Sequence, residues 1–404
     1  MRYAVIGISD NLRQEFPREI LDVIHSGKVF SGGKRHHELV AHLLPSESVW
    51  IDITVPLDDV FEKYQKSDYI VVFASGDPLF YGFANTIRSR QPDAMIKLYP
   101  YFNSLQTLAH KLVMPYHDMR IVSLTGRPWH EFDRALIEGN AKIGVLTDRE
   151  HTPKAIAQRM LDYGYCEYTM HVGEHLGNES KERISTLSLN DALGCDVAYP
   201  NCIILIGDKK EKRWGLPDSE FSLLDDRKKM ITKMPIRLLS LQALDLYKHD
   251  MLIDIGFCTG SISIEAKLQF PHLVVYSIEM RPECEKIISS NARRFGAVGI
   301  ITKIADFNDI DISLFDHVFT NATGGKKPRK AFFIGGHNGR LSDIMTRIEG
   351  SMKSGDLMVM NCVTEQSRTI FEKTSSILRL KLWEPMSITI DNYNTITIMK
   401  CTKR

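Results

Sequence analysis

The sequence predicts an α/β protein of two domains, each organised around a mostly parallel sheet, with an antiparallel hairpin closing the second. Three observations predict it. Short β-rich apolar runs alternate with helix-length amphipathic segments along the chain, the rhythm of β-α-β units. That rhythm breaks in the polar stretch DKKEKRWGLPDSEFSLLDDRKKM after Gly207, then restarts. The chain has 404 residues, too many for one ordinary domain and comfortable for two. The expected divisions are a first domain over 1–207, a linker over 208–229 and a second domain over 230–404.

In the first domain the strand-like runs are YAVIG (3–7), VWIDI (49–53), YIVVFAS (69–75), KIGVLT (142–147) and CIILIG (202–207). Between them lie the helical patterns PREILDVIHSG, SLQTLAHKLV and PKAIAQRMLDYG. Pro17 and Pro153 suit first helical turns, and Gly27 and Gly164 suit C-terminal caps. The second domain reads helix 235–244, strand 251–256, helix 261–268, strand 274–279 and helix 282–295. Its tail differs. LKLWEPMSITI and NTITIMKC are β-branched runs separated by Asp-Asn-Tyr, the pattern of an antiparallel hairpin.

Composition narrows the function classes. Formal net charge is +1, without the basic excess of a protein that clamps long nucleic acid. The opening MRYAVIGISDNLRQEF lacks the three regions of a signal peptide, and no apolar run approaches the ~18 residues of a membrane span. The seven cysteines contain no C-x-x-C pair, so structural zinc and a disulfide framework are not expected, and reduced thiols in the cytoplasm are. His36 and His37 are adjacent and have no evident third ligand, so no metal is expected there.

The strongest chemical signal lies in the second domain. Gly256-Phe-Cys-Thr-Gly260 follows the strand MLIDI and opens a helix. Glycine there lets a ligand approach the backbone. Glu279 ends the next strand, where an acid can accept from both hydroxyls of a ribose; Asp306, beside Ala305, follows the strand after that and is placed to face an adenine edge. Together these specify an adenosine-type ligand. The dinucleotide fingerprint G-x-G-x-x-G needs glycine at the position of Cys258 and a third glycine that is absent, which favours S-adenosylmethionine (SAM) over NAD.

Several segments resemble known methylases. Met230-Ile-Thr-Lys-Met-Pro-Ile-Arg237, Phe332-Phe-Ile-Gly-Gly-His-Asn-Gly339 and the run from Asp254 through Glu265 are similar to the M-T-K-x-x-x-R, F-I-G-G and D-I-G-x-x-T-G-S-I-S-I-E segments of the precorrin methylase that acts on carbon 15 and decarboxylates. In the first domain, Ser75-Gly-Asp-Pro-Leu-Phe-Tyr-Gly82 resembles the SAM loop of the tetrapyrrole methylases. Phe30-Ser-Gly-Gly-Lys-Arg-His-His37, Asn103-Ser-Leu-Gln106, Thr125-Gly-Arg127 and Glu174-His-Leu-Gly177 with Glu182-Arg183-Ile184 resemble the carbon-5 precorrin methylase in order and spacing. The resemblance covers nearly the whole chain, in the order of the fused C5,15 precorrin methylases. The sequence departs from the pattern at Gly7-Ile-Ser-Asp10 (usually G-x-G-P-G), at Thr125 (usually histidine), at Cys258 (usually glycine) and in the insertion 321–330, whose cations are Lys326, Lys327, Arg329 and Lys330.

The resemblance implies a class III tetrapyrrole methylase fold followed by a class I Rossmann-like methyltransferase fold with an antiparallel last strand. It implies SAM at two sites, methylation of a precorrin at carbons 5 and 15 with loss of the ring C acetate carboxylate, a place in cobalamin biosynthesis, and a homo-oligomer. The cofactor residues it implies are Gly76, Asp77, Pro78, Leu79 and Ser104 in the first domain, and Thr232, Gly256, Phe257, Cys258, Thr259, Gly260, Glu279, Ala305 and Asp306 in the second. The polycarboxylate substrate asks for arginine forks, for which Arg35, Arg127 and Arg237 are the candidates. No motif assigns a general acid or base; Lys233 and Glu265 are the candidates. Two other readings stand beside this one. A class I RNA or protein methyltransferase with an accessory first domain fits the KKPRK loop but lacks an N/D-P-P-Y-type motif. A non-catalytic scaffold follows if the departures at Gly7–Asp10 and Cys258 abolish SAM binding.

Overall fold

The computed structural model describes residues 1–208, 213–226, 230–325, 327–390 and 394–404. Lys326, and the Asp-Asn-Tyr expected to turn the last hairpin, lie outside them. The fold is mixed α/β with parallel-rich sheets. It forms two compact units: Met1–Thr125, Lys142–Ala157 and Tyr168–Ile206 in the first, and Gly126–Ala141, Gln158–Glu167 and Gly207–Arg404 in the second. Two stretches that the sequence places in the first domain are thus grouped with the second unit. There the Tyr165 hydroxyl donates to the Gly296 carbonyl at 2.8 Å, and Arg159 grips Asp133 through Nε and an NH2 nitrogen at 2.7 and 2.8 Å.

The first unit contains two five-stranded sheets. Strands β1 (Arg2–Ile8), β2 (Val29–Gly32), β3 (Val49–Asp52), β4 (Tyr69–Ser75) and β5 (Met95–Tyr99) form one, in the order β3-β2-β4-β1-β5 and parallel throughout. Strands buried on both faces read as continuous apolar runs, as β1 and β4 do. Strands β6 (Arg120–Ser123), β7 (Lys142–Leu146), β8 (Thr169–Glu174), β9 (Arg183–Ser188) and β10 (Asn201–Ile206) form the other, ordered β6-β7-β10-β8-β9. Here the expectation of parallel pairing fails, since only β6 and β7 run parallel. The eight residues between β8 and β9 are too few for the crossover that a parallel pair requires.

The second unit carries strands β11 (Met251–Ile255), β12 (Val274–Glu279), β13 (Ile301–Ile304), β14 (Lys330–Ile334), β15 (Leu357–Cys362), β16 (Lys381–Leu382), β17 (Met386–Ile388) and β18 (Ile396–Thr402). Their order is β13-β12-β11-β14-β15-β18-β16, with β17 also on β18. The first five run parallel; β18 is antiparallel to β15, β16 and β17. Successive side chains leave opposite faces of a strand, so one apolar run fills two cores. Ile253, Tyr276, Phe332 and Met358 enter one, and Leu252, Val275, Ala331 and Val359 enter the other.

One local expectation is revised. The stretch after Gly207 is no bare linker: Leu216, Phe221 and Leu224 are buried with Phe257, Ile264 and Ile288. Gly27 caps its helix as expected, in an extended conformation with φ −71°, and is needed for space, since a Cβ would meet the Phe30 ring at 2.6 Å. Gly164 does cap its helix left-handed, with φ +73°.

Gly256 also has a positive φ, +79°, and a Cβ there would lie 2.7 Å from the Gly336 nitrogen. Gly164 has only an atom 4.0 Å away. Gly164→Ala therefore carries the backbone strain alone, roughly 1 kcal/mol, whereas Gly256→Ala adds a backbone clash and is expected to cost about 2–4 kcal/mol. Urea unfolding of the two variants against the parent chain measures both; equal losses would refute the backbone contact.

Candidate active site

In the second unit the carboxyl ends of the parallel strands frame a cavity of about 820 Å³. Open parallel sheets place ligands at this edge. Two backbone crossings build its floor. The Gly335 and Gly336 N–H groups both donate to the Ile255 carbonyl, at 2.7 and 3.3 Å, and Gly256 donates to Ile278 at 2.7 Å. These bonds bring the D-I-G and F-I-G-G segments together, far apart though they are in sequence.

Cys258 continues the turn with φ +48°, a left-handed conformation unusual outside glycine, asparagine and aspartate. That geometry accounts physically for the glycine expected at this position. Gly260, at φ +74°, starts the helix Ser261–Gln269 against Ile288; it shapes the turn without lining the cavity. Thr232, Gly256, Phe257, Cys258, Thr259, Glu279, Ala305 and Asp306 all line it.

Glu279 is held by its own surroundings. Its carboxylate accepts from the Cys258 and Met280 N–H groups, each at 3.0 Å, and from Arg281 Nε and an NH2 nitrogen at 3.0 and 2.8 Å. Burial alone would raise its pKa; the Arg281 bonds outweigh burial and hold it below the ordinary value. Asp306 accepts from the Asn308 N–H at 2.9 Å and pairs with Arg340, both of which lower its pKa.

Asp254 is a site residue that the sequence reading did not single out. It is 1% exposed and lines the cavity. Ser263 donates to one carboxyl oxygen at 2.5 Å, and the other has no hydrogen-bond partner. Burial pushes its pKa up to about 7, with Ser263 pulling down and nearby Glu279 adding to the rise. A signal was present: an acid inside an apolar strand, matched by Ser263 and Ser277.

Two expected roles are corrected. Arg237 and Glu265 are both 0% exposed, and neither lines the cavity. Arg237 Nε donates to Glu265 at 3.2 Å. Its remaining nitrogens reach Asp218, the Thr232 carbonyl and the Leu216 carbonyl, and its guanidinium lies over the Phe221 ring. Glu265 also accepts from the Gly215 and Leu216 N–H groups at 3.1 and 2.9 Å. A guanidinium and a carboxylate so engaged offer nothing to a substrate; they fasten Gly215, Leu216 and Thr232. Lys233 does line the cavity, 3.9 Å from Asp218.

The first unit gathers another set of candidates at its parallel sheet edge. Gly76, at φ +61°, touches Asn103, and a Cβ on Gly7 would lie 1.9 Å from the Gly76 carbonyl oxygen. Asp77 accepts from the Leu79 N–H at 2.8 Å, closing the Gly-Asp-Pro turn. Asn103 caps the helix that opens with Ser104. His36 bonds Ser75 at 2.9 Å, and burial lowers its pKa to about 4; His37 instead stacks on Trp50. Arg35 lies 3.0 Å from Asp10, which also receives His175 at 3.1 Å, so its charge is answered within the protein. Arg127 lies in the loop after β6, in a stretch grouped with the second unit.

Comparison with known proteins follows this geometry. The family described as precorrin methyltransferase domain matches residues 225–384. A precorrin-6Y C(5,15)-methyltransferase [decarboxylating] of Sinorhizobium sp is 29% identical over 370 residues, 91% of this chain and 86% of that protein. The chain is similar to a precorrin-6Y C5,15-methyltransferase over most of its length. It is also 34% identical to a cobalt-precorrin-6B C(15)-methyltransferase (decarboxylating) of Salmonella typhimurium over 137 residues, 34% of this chain and 64% of that one. A cobalt-precorrin-7 C(5)-methyltransferase of the same organism is 27% identical over 206 residues, 51% of this chain and 98% of its own.

Removing one partner of a buried ion pair strands the other. Arg237→Met is expected to destabilise the chain by about 3–5 kcal/mol in urea unfolding. Arg237→Met combined with Glu265→Met should recover little, because the pair satisfies four backbone groups as well as itself. Full recovery in the double variant would show that those backbone bonds do not matter.

Proposed function

We propose that the chain is a bifunctional SAM-dependent C-methyltransferase. It methylates precorrin-6Y, or its cobalt-containing equivalent, at carbons 5 and 15, and releases the ring C acetate carboxylate as carbon dioxide, in cobalamin biosynthesis. The carrying observation is the second unit's cavity, a glycine-floored recess with Asp254, Glu279 and Asp306 on its lining, in a chain similar to such an enzyme over 91% of its length. In this reading residues 1–207 are a tetrapyrrole methylase domain, 208–229 the connection, and 230–404 a class I methyltransferase domain. SAM has two sites, one at Gly76–Leu79 and Ser104, the other in the cavity. The seven free thiols fit a reducing cytoplasm.

The cavity residues fit the cofactor by their own chemistry. SAM supplies an activated methyl group on a sulfonium. Gly256 leaves backbone open where a side chain would intrude. Glu279 and Asp306 suit the ribose and the adenine edge. The unpaired oxygen of buried Asp254 suits the α-ammonium, the cationic donor it lacks. The substrate carbons are electron-rich meso positions, so the protein's task is alignment and exclusion of water rather than strong-base catalysis.

Calorimetric titration with SAM tests the two-site reading. The wild-type chain should bind two equivalents, and Gly256→Arg and Asp77→Arg should each lose one. With precorrin-6Y, mass spectrometry should show two methyl groups gained and one carbon dioxide lost. Absence of SAM binding would overturn the enzymatic reading.

Asp254 adds a pH dependence. Its carboxyl titrates at about 7, and only the ionised form attracts an ammonium. Affinity at the second site should therefore fall as pH drops from about 8 to about 6, approaching a tenfold loss per pH unit below the pKa. Binding near pH 6 should release a proton, visible as a buffer-dependent heat. Asp254→Asn should abolish the dependence; a persistent slope in that variant would assign it elsewhere.

A further inference from the structure

The sheet order sorts the cavity lining by chemistry. Its three carboxylates, Asp254, Glu279 and Asp306, stand on β11 or at the ends of β12 and β13. On the β14–β15–β18 side the described lining holds no acid. His337 follows the Gly335-Gly336 crossing, Asn361 lies near the end of β15, and Ile388 and Ile396 supply apolar surface. A cationic cofactor suits the first flank, which leaves the second for an anionic, conjugated substrate.

His337 and Asn361 are each fixed from behind. Thr364 Oγ1 donates to Ser367 Oγ at 3.0 Å, and Ser367 Oγ lies 3.3 Å from His337 Nε2, in reach to donate its own proton there. With the serine as donor the ring proton sits on Nδ1, which is buried and has no hydrogen-bond partner. Ser240 Oγ donates to Asn361 Oδ1 at 2.9 Å, and the amide nitrogen is likewise buried without a partner. Buried donors left unpaired are costly, and two of them on one cavity wall define a place for an acceptor.

We propose that His337 and Asn361 position the substrate by donating, through Nδ1–H and Nδ2–H, to the acetate carboxylate that is lost. This rests on the function proposed above. Neutral donors suit that arm better than a guanidinium does. In decarboxylation the bond between the arm methylene and the carboxylate carbon breaks. Carbon dioxide leaves, the electron pair enters the conjugated macrocycle, and a proton from water completes the new methyl group. Negative charge therefore departs from the carboxylate. A tight ion pair would favour the ground state over the transition state, whereas neutral donors locate the arm without anchoring its charge.

Precorrin-6Y turnover tests this, with carbon dioxide release and methyl transfer followed separately and SAM affinity measured by calorimetry. His337→Ala should raise KM for precorrin-6Y by about tenfold or more, with SAM affinity and thermal stability unchanged. His337→Asn, whose amide nitrogen can replace Nδ1, should restore most of it. Ser367→Ala should raise the Nε2–H tautomer population in the ring's 15N spectrum. His337→Arg should bind substrate yet release carbon dioxide at least about tenfold more slowly relative to methyl transfer. Unchanged KM in His337→Ala, or carbon dioxide release keeping pace with methylation in His337→Arg, would overturn the inference while leaving the function intact. No turnover by the wild-type chain would overturn both.

Discussion

Between Arg237 and Glu265 two opposite charges meet out of reach of water, and the chain leading to Thr232 on the second unit's cavity wall is tied to them. Such pairs contribute little net stability, because desolvation offsets their attraction. This pair matters for what else it holds. Its remaining donors and acceptors serve the Leu216 and Thr232 carbonyls and the Gly215 and Leu216 amides. Gly215, Leu216 and Thr232 are thereby fastened, and Thr232 and its neighbour Lys233 line the cavity.

The two units reach a similar arrangement by the same economy of space. At each parallel sheet edge, one strand end crosses another with no room for a side chain. Gly7 and Gly76 do this in the first unit, and Gly256 and Gly336 in the second. What surrounds the crossing differs. In the first unit Asp10 draws in Arg35 and His175, and the Asn178 amide bonds its carbonyl. In the second, acids and neutral donors occupy opposite flanks of one cavity.

Much of this was legible in the sequence. The runs at 69–75, 251–256 and 274–279 are strands, and the glycine turn, Glu279 and Asp306 meet at one cavity. Those signals are local, resting on a few neighbouring residues. The misread features are long-range. Arg237 is a substrate candidate in the sequence because a polycarboxylate calls for arginine forks. Its helix, however, buries Ile236, Ser240 and Leu241, so Arg237 sits on an inward face. Glu265 makes it habitable from another helix, which no local pattern reveals. Likewise, the polarity of the 208–229 stretch hid Leu216, Phe221 and Leu224, whose burial depends on partners from three other elements. His337 and Asn361 gained meaning only when β14 and β15 were seen side by side.

The second unit is assembled from three separate lengths of chain, and that has a consequence for its birth. During synthesis Tyr165 leaves the ribosome 131 residues before its hydrogen-bond partner Gly296. The segments Gly126–Ala141 and Gln158–Glu167 must therefore wait, through seconds of translation, for the sheet they will join. A gene cut between β10 and β11 would divide the coding text tidily, yet it would part Tyr165 from Gly296 and leave that hydrogen bond unmade.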